Sequence, residues 1–561
     1  MALMSNLRQA ISTIIPSKFS LEDLKGFPYS EYQDQLVEYE EQENWYTGDA
    51  LRETISGKEG RPADLYPMQI NPIRATVAKH AYALFGEVEN DGRPLIVTKM
   101  IPPESGGDKD IETWKKDTQH VEEVLNQVWW ESGGRDLMIR NAYVSQIYGG
   151  CFFKVTFVPW ESSQYGGTRS IPIRIEAPNP KTVVAIPDAS DYYHLAKCWI
   201  VRQIDENEAE SYGYKITDES EYWYTEYWTP KDYIIRVNNQ IVRKVVAGKE
   251  ILLSGENPFG FVPVVYIPHI RDINFLGSNA FKHLIAYVKE LNLRYGDYGD
   301  ATNDDAHPIV AIRDVSGTVQ MKKITNWLEV ADLGQTSGIT GNEKPPDMFE
   351  VRQQRASAAM KGLIDSIWQQ YLRDSFVPPV AYGEDEGSQR SAMTLAMRFW
   401  PLGSHVSTER YYWTVGMDIL QNILLRIMFT KKIGGITEKH LAMRMKQVWS
   451  PLLPRDREAD VQEWVQRSTA EIASIEHLLE LSGDVEDITE ERNRILKWIA
   501  DVEEARLKAA NKQAEKQLKM QMEANEQREE NAMESEKKSV DVSEEEKPFA
   551  RRAKQEPGDE R

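Results

Sequence analysis

Phe281-Lys282-His283-Leu284-Ile285-Ala286-Tyr287-Val288-Lys289-Glu290-Leu291-Asn292-Leu293-Arg294-Tyr295 repeats its apolar residues at helical spacing. Phe281, Leu284, Ile285, Val288, Leu291 and Tyr295 form the stripe, and Lys282, Lys289, Glu290 and Arg294 lie off it. A second run carries Ala359, Leu363, Ile364, Ile367, Trp368, Tyr371 and Leu372 with the same period. Between them, from about Asp304 to Glu350, the pattern turns β-like. Pro308 to Ile312 and Trp327 to Val330 read as short strands. Gly317, Gly334, Gly338 and Gly341 supply turns, and Pro345-Pro346 resets the chain before the second helix. After that helix, Phe376 to Gln389 holds Pro378-Pro379 and the acidic loop Gly383-Glu384-Asp385-Glu386-Gly387. A further helix is expected to break at Pro401-Leu402-Gly403, and Thr408 to Phe429 reads as a long helix. Periodicity alone makes Gly277 to Met428 a helical hairpin with a β insertion.

Working outward, residues 1 to about 60 read as helical and charged, with acidic residues Glu38, Glu40, Glu41 and Glu43. Pro72 suits a helix start and Gly86 a stop, with Ile73, Val77, Tyr82 and Phe85 near one face. Helices follow at Asp117 to Trp130 and Asp136 to Tyr148. From Cys151 the period changes to two, through Phe153, Val155 and Phe157, then Ile171, Ile173 and Ile175. Glu221 to Thr229 is dense in Tyr and Trp, as in half-buried strands. Asn238-Asn239 signals a hairpin. Two readings of the aromatic strands stand at this point: a carbohydrate groove, or rings packed inside a β-layer. Beyond the break Trp449-Ser450-Pro451-Leu452-Leu453-Pro454, Arg455 to Leu481 reads as amphipathic helix. Asp487-Ile488-Thr489-Glu490 has capping-box form and opens another. Apolar residues thin out beyond Lys512, and from about Ser535 the composition suits disorder, or helix within an assembly.

The chain has 561 residues, enough for several domains, and a formal net charge of −21. That charge argues against tight, sequence-independent wrapping of DNA, which needs clustered Lys and Arg, but not against DNA passing nearby. Cys151 and Cys198 lack metal-ligand spacing and sit in apolar strand context, so both are expected free, buried and in a reducing compartment. No basic segment preceding an apolar core marks a signal peptide, and no apolar run is long enough to span a membrane. Phosphate-loop, His-Glu-x-x-His, Gly-x-Ser-x-Gly and Cys-x-x-Cys motifs are all missing. The nine histidines are scattered; His307 and His405 beside breaks read as satisfied or solvated rather than as ligands. The expectation is a non-enzyme with no cofactor and no metal.

The order of segments resembles the portal proteins of tailed bacteriophages, over roughly residues 60 to 505. Asn71-Pro72 leading to Leu84-Phe85-Gly86-Glu87 is similar to that family's N-terminal signature. Tyr148-Gly149-Gly150, Pro258-Phe259-Gly260-Phe261-Val262-Pro263-Val264-Val265, Leu453-Pro454-Arg455-Asp456 and Ser482-Gly483-Asp484-Val485-Glu486-Asp487 resemble further landmarks. The joint order and spacing carry the resemblance.

The resemblance implies an α+β portal fold with a β-rich wing, two-helix stem, small α/β clip and helical crown. The divisions expected are 1–276 (N-terminal helices and wing), 277–303 (first stem helix), 304–350 (clip) and 351–375 (second stem helix). After these come 376–430 (tunnel loop and long wing helix), 431–511 (crown) and 512–561 (charged, partly disordered tail). It implies a ring, usually a dodecamer, at one capsid vertex of the virion, assembled in the host cytoplasm without a membrane. Double-stranded DNA would pass through it during packaging and ejection. Large terminase, major capsid and scaffolding proteins, and head-completion adaptor or tail proteins would be its partners. Gly383, Glu384, Asp385, Glu386, Gly387, Ser388 and Gln389 are the candidate tunnel loop, with the break at Pro401-Leu402-Gly403 as a second candidate and a solvated surface loop as the plain alternative. Trp327, Glu329 and Asp332 are clip candidates for terminase docking. Lys282, Lys289, Arg294, Arg352, Arg355 and Lys361 are stem candidates, with Arg352, Arg355, Lys361 and Arg373 expected in ion pairs between subunits. A carbohydrate-binding or glycan-processing protein is the alternative of another class.

Overall fold

The computed structural model describes residues 27–51, 69–86, 95–101, 108–158, 170–216, 221–238, 240–246, 249–271, 275–306, 309–313, 320–324, 327–331, 347–351, 358–383, 392–450, 452, 457–470, 472–482 and 488–540. It is mixed helix and sheet. In chain order the elements open with α1 (Tyr29–Thr47), α2 (Ile73–Phe85), β1 (Ile96–Ile101), α3 (Asp108–Glu131), α4 (Gly134–Tyr148), β2 (Gly150–Phe157), β3 (Ile173–Glu176), β4 (Val183–Pro187) and β5 (Leu195–Ile204). They continue with α5 (Glu206–Ser211), β6 (Tyr222–Trp228), β7 (Asp232–Val237), β8 (Gln240–Ile241), β9 (Arg243–Val246), β10 (Lys249–Leu252), β11 (Ser254–Glu256) and β12 (Val264–Pro268). The hairpin region holds α6 (Ile285–Ala306), β13 (Ile309–Arg313), β14 (Gln320–Ile324), β15 (Trp327–Ala331), β16 (Asp347–Val351), α7 (Ala358–Asp374) and α8 (Ala392–Lys431). α9 (Glu438–Leu441), β17 (Arg444–Trp449), α10 (Arg457–Thr469), α11 (Ile475–Ser482) and α12 (Ile488–Val540) close the described chain.

The chain divides into two units, residues 1–454 and 455–561. In the first, a three-stranded antiparallel sheet ordered β12-β2-β3 lies at the centre. Cys151, Phe153 and Val155 of β2 pack with Val265 and Ile267 of β12 against Trp413, Met417, Leu420 and Leu424 of α8, and against α3 and α4. Helix and strand meet so closely that a side chain at Gly416 would collide with Ile267. A second sheet runs β11-β7-β6-β5-β4, with β8 on β7. Most of its aromatic residues are interior: Trp199, Trp223, Tyr224 and Trp228 are buried, and Trp199 stacks on the half-buried Tyr227 at 5.0 Å. Among the described residues these rings pack a β-layer, which leaves the glycan reading without support. Both cysteines are free and buried.

Three expectations need correction. Pro401 does not break the helix: α8 runs uninterrupted from Ala392 to Lys431. Pro removes one N–H and strains one turn, but Leu402 and Val406 bury against Ala83 and Val377, and this packing overrides the local cost. Tyr82 is exposed at 69%, facing away from buried Ile73, Val77 and Phe85. Arg455 to Leu481 is two helices, not one. Ser474 Oγ accepts the His477 N–H at 3.2 Å and so caps α11. α12 continues to Val540. Among the described residues no helix is long and apolar enough to cross a membrane.

Candidate functional site

The hairpin α6/α7 is rooted at its foot in a core of Trp45, Ile73, Val77, Tyr148, Phe281, Leu284, Val288, Tyr371 and Leu372. Phe281, Leu284, Val288 and Leu291, all from the first stripe, are buried. In the second stripe Ile364, Tyr371 and Leu372 are buried, whereas Leu363 is 49% exposed and Ala359 is exposed one turn before it. Polar bonds sew the foot to its surroundings. The Tyr287 hydroxyl donates to Asp374 Oδ2 at 2.6 Å, and His283 Nε2–H donates to the Asp374 carbonyl at 2.9 Å. Thr76 Oγ1 lies 2.7 Å from the Tyr371 hydroxyl and 3.0 Å from that of Tyr382.

Asn292 is a residue that periodicity cannot find. It sits on α6, buried, and behaves as a strand partner: its Oδ1 accepts from Ile70 N–H at 2.8 Å and its Nδ2 donates to Ile70 O at 2.9 Å. The segment before α2 is thereby pinned to the hairpin. A buried amide held by backbone on both edges is fully used, and the only sequence signal is a polar residue interrupting the Leu291–Leu293 run.

The candidate charges fall as follows. Lys282 Nζ pairs with Glu38 Oε1 of α1 at 3.0 Å. Lys289 lies over the Trp45 ring, 5.2 Å from its centroid. Arg294 pairs within its own helix, to Glu290 at 2.7 Å and Asp297 at 3.1 Å. Bonding to Glu290 raises its pKa, so the guanidinium is charged throughout. Lys361 and Arg373 are exposed on α7. Arg352 and Arg355 lie outside the described residues. In sequence α6 carries Glu290, Asp297, Asp300, Asp304 and Asp305 against Lys289 and Arg294, an acidic helix that repels phosphate.

Between α6 and α7, β13 pairs antiparallel with β16, Ile309 opposite Val351. β14 and β15 form a hairpin, Ile324 opposite Trp327. Trp327 and Glu329 belong to β15; Asp332 lies outside the described residues. The sequence reading missed β14 and β16, whose Lys322-Lys323 and Asp347/Glu350 dilute the apolar alternation. Beyond α7, a 3-10 turn (Pro379–Tyr382) ends at Gly383, whose φ of +83° only glycine adopts cheaply. Glu384, Asp385, Glu386, Gly387, Ser388 and Gln389 lie outside the described residues.

Among the described residues, this arrangement is a helical hairpin with antiparallel β pairs between its helices, rooted in a β-rich body. A family model described as phage portal protein, SPP1 Gp6-like, matches residues 176–517, more than half of the chain. The chain belongs to that family. A comparison with curated proteins finds no match.

Proposed function

We propose that copies of this chain form a closed ring at one capsid vertex, with 277–303 and 351–375 as its stem, 304–350 as its clip and 383–389 as its tunnel loop. Double-stranded DNA passes through the ring in packaging and ejection, terminase and then head-completion proteins dock on the clip, and capsid and scaffolding proteins surround the wing. The observation that carries the reading is the hairpin-and-β-module order inside a chain of the portal family. A dodecamer is the ring size adopted.

Physical features agree with this role. Heterologous interfaces whose rotation closes produce cyclic rings. The exposed Leu363 and Ala359 continue a stripe that is buried lower on the same helix, as expected for a surface covered by a neighbouring copy. The acidic α6 and the net charge of −21 keep a polyanion from adhering to the wall. Deleting 383–389 tests the tunnel-loop assignment: rings should form normally while DNA packaging or retention fails. Rings that no longer assemble would make the loop structural. Charge reversals across 327–333 should weaken terminase docking, and unchanged docking would refute the clip assignment.

A further inference from the structure

Three histidines from separate parts of the sequence converge beside the hairpin foot. His80 lies on α2, His269 directly after β12, and His405 on α8. The His405 ring centre is 4.7 Å from that of His80 and 5.5 Å from that of His269. One nitrogen of each ring lies within 4.8 Å of those of the other two. We propose that His80, His269 and His405 bind one divalent metal ion of the zinc class, which staples the foot of the α6/α7 hairpin to α2, β12 and α8.

The tautomers suit this. His80 Nε2–H donates to the Ser375 carbonyl at 2.8 Å, and His269 Nδ1–H donates to the Ser278 carbonyl at 2.9 Å. Backbone carbonyls fix metal-binding histidines in this way, leaving the other nitrogen as a lone pair. Those remaining nitrogens, His80 Nδ1 and His269 Nε2, together with His405 Nε2, are buried and make no hydrogen bond. Buried polar atoms are normally satisfied, so three unsatisfied ones on neighbouring rings call for a shared partner. Burial keeps the rings neutral and able to ligate, lowering His80 to about 4, His269 to about 3 and His405 to about 2.

The surroundings reinforce the assignment. Phe376 stacks on His405 at 4.9 Å while holding a φ of +59°, a strained backbone for a bulky residue. Gln146 lies beside His80 and donates through Nε2 to Glu409 Oε1 at 2.7 Å. Three imidazoles without a carboxylate select Zn2+, Co2+ or Ni2+ over Mg2+ or Ca2+. Metal–nitrogen bonds of about 2.0–2.1 Å require the rings to close inward by roughly 1 Å. Ser375 follows α7 and Ser278 precedes α6, so a bound ion would hold both ends of the hairpin through its ligands' outer bonds. The site is independent of the portal reading.

The test titrates ZnCl2, and MgCl2 as control, into the chelator-treated full chain by calorimetry. One Zn2+ per chain and no Mg2+ is expected. His405→Gln and His269→Gln should each weaken Zn2+ binding at least ~100-fold, more than loss of an outer-shell partner does, while His194→Gln, at an exposed site, should leave it unchanged. Absence of stoichiometric Zn2+ binding, or binding that survives both substitutions, overturns the proposal. Should the variants misfold, X-ray absorption of the zinc-loaded wild type decides: a shell of three imidazole nitrogens supports the site, and a shell of oxygens alone overturns it. Ring formation by a folded His405→Gln chain keeps the outcome separate from assembly.

Discussion

Replacing Lys154 by Met should be among the most damaging single changes in the wing. Lys154, on β2 of the central sheet, is 5% exposed; Glu226, on β6 of the neighbouring sheet, is 1% exposed. Lys154 Nζ lies 2.8 Å from Glu226 Oε2 and 3.4 Å from Glu176 Oε2. Burial by itself would push the Lys154 ammonium down, but the flanking carboxylates of Glu176 and Glu226 outweigh it and hold its pKa raised. Glu226 also accepts from Trp228 Nε1–H and, at 3.1 Å, from the Tyr224 hydroxyl. Removing the cation leaves the buried Glu226 carboxyl with only neutral donors, a loss of about 3–5 kcal/mol. Because desolvating both ions is itself costly, Lys154→Met with Glu226→Gln should recover all but about 1–2 kcal/mol of that. Urea unfolding followed by tryptophan fluorescence measures this, since Trp228 sits in the network; the midpoint should move with the slope unchanged. Glu176 supplies a second signature. Burial would raise its pKa, yet Lys154 and Arg174 outweigh that and hold it low. Its contribution is therefore present above the ordinary carboxylate range and lost as pH falls through the folded value, and Lys154→Met should flatten that acid limb. A single-variant loss under about 1 kcal/mol, or strictly additive losses, would refute the reasoning.

Three further outcomes follow from particular contacts. Gly149→Ala should cost about 2–5 kcal/mol, from a left-handed backbone (φ +80°) and a Cβ driven onto the Gly277 carbonyl; chemical denaturation showing less than about 1 kcal/mol would contradict it. Glu409→Gln should stabilise the fold. Burial raises Glu409 to about 8, so its folded form is protonated and wild type loses stability as pH rises from about 4.5 to 8. The variant's advantage should approach about 3 kcal/mol at pH 7 and vanish near pH 4, and a pH-independent difference would count against this. Pro401→Ala should restore the missing helical N–H within α8 and stabilise by about 1–2 kcal/mol; a loss of thermal stability would show that the proline conformation itself is needed.

Much of the fold was legible because its signals are periodic. Phe281, Leu284, Val288 and Leu291 of the first stripe are buried, the alternation in Cys151–Phe157 is β2, and Gly86 ends α2. What failed was where tertiary contact overrode a local rule, as at Pro401, or where burial depended on a neighbour, as at Tyr82. Ser474 was a readable cap overlooked inside an amphipathic run. The histidine cluster was not legible at all: His80, His269 and His405 are separated by long intervals, each reads singly as a core or surface residue, and only folding brings their free nitrogens together. Asn292 was hidden likewise, since a side chain mimicking a strand leaves no periodic trace.

The central claim is the ring, and native mass spectrometry of the purified full chain with negative-stain imaging addresses it most directly. The account expects a closed assembly of about a dozen copies with a central hole, formed by one repeated heterologous interface. A chain that stays monomeric at high concentration, even with capsid or scaffolding protein present, would contradict it.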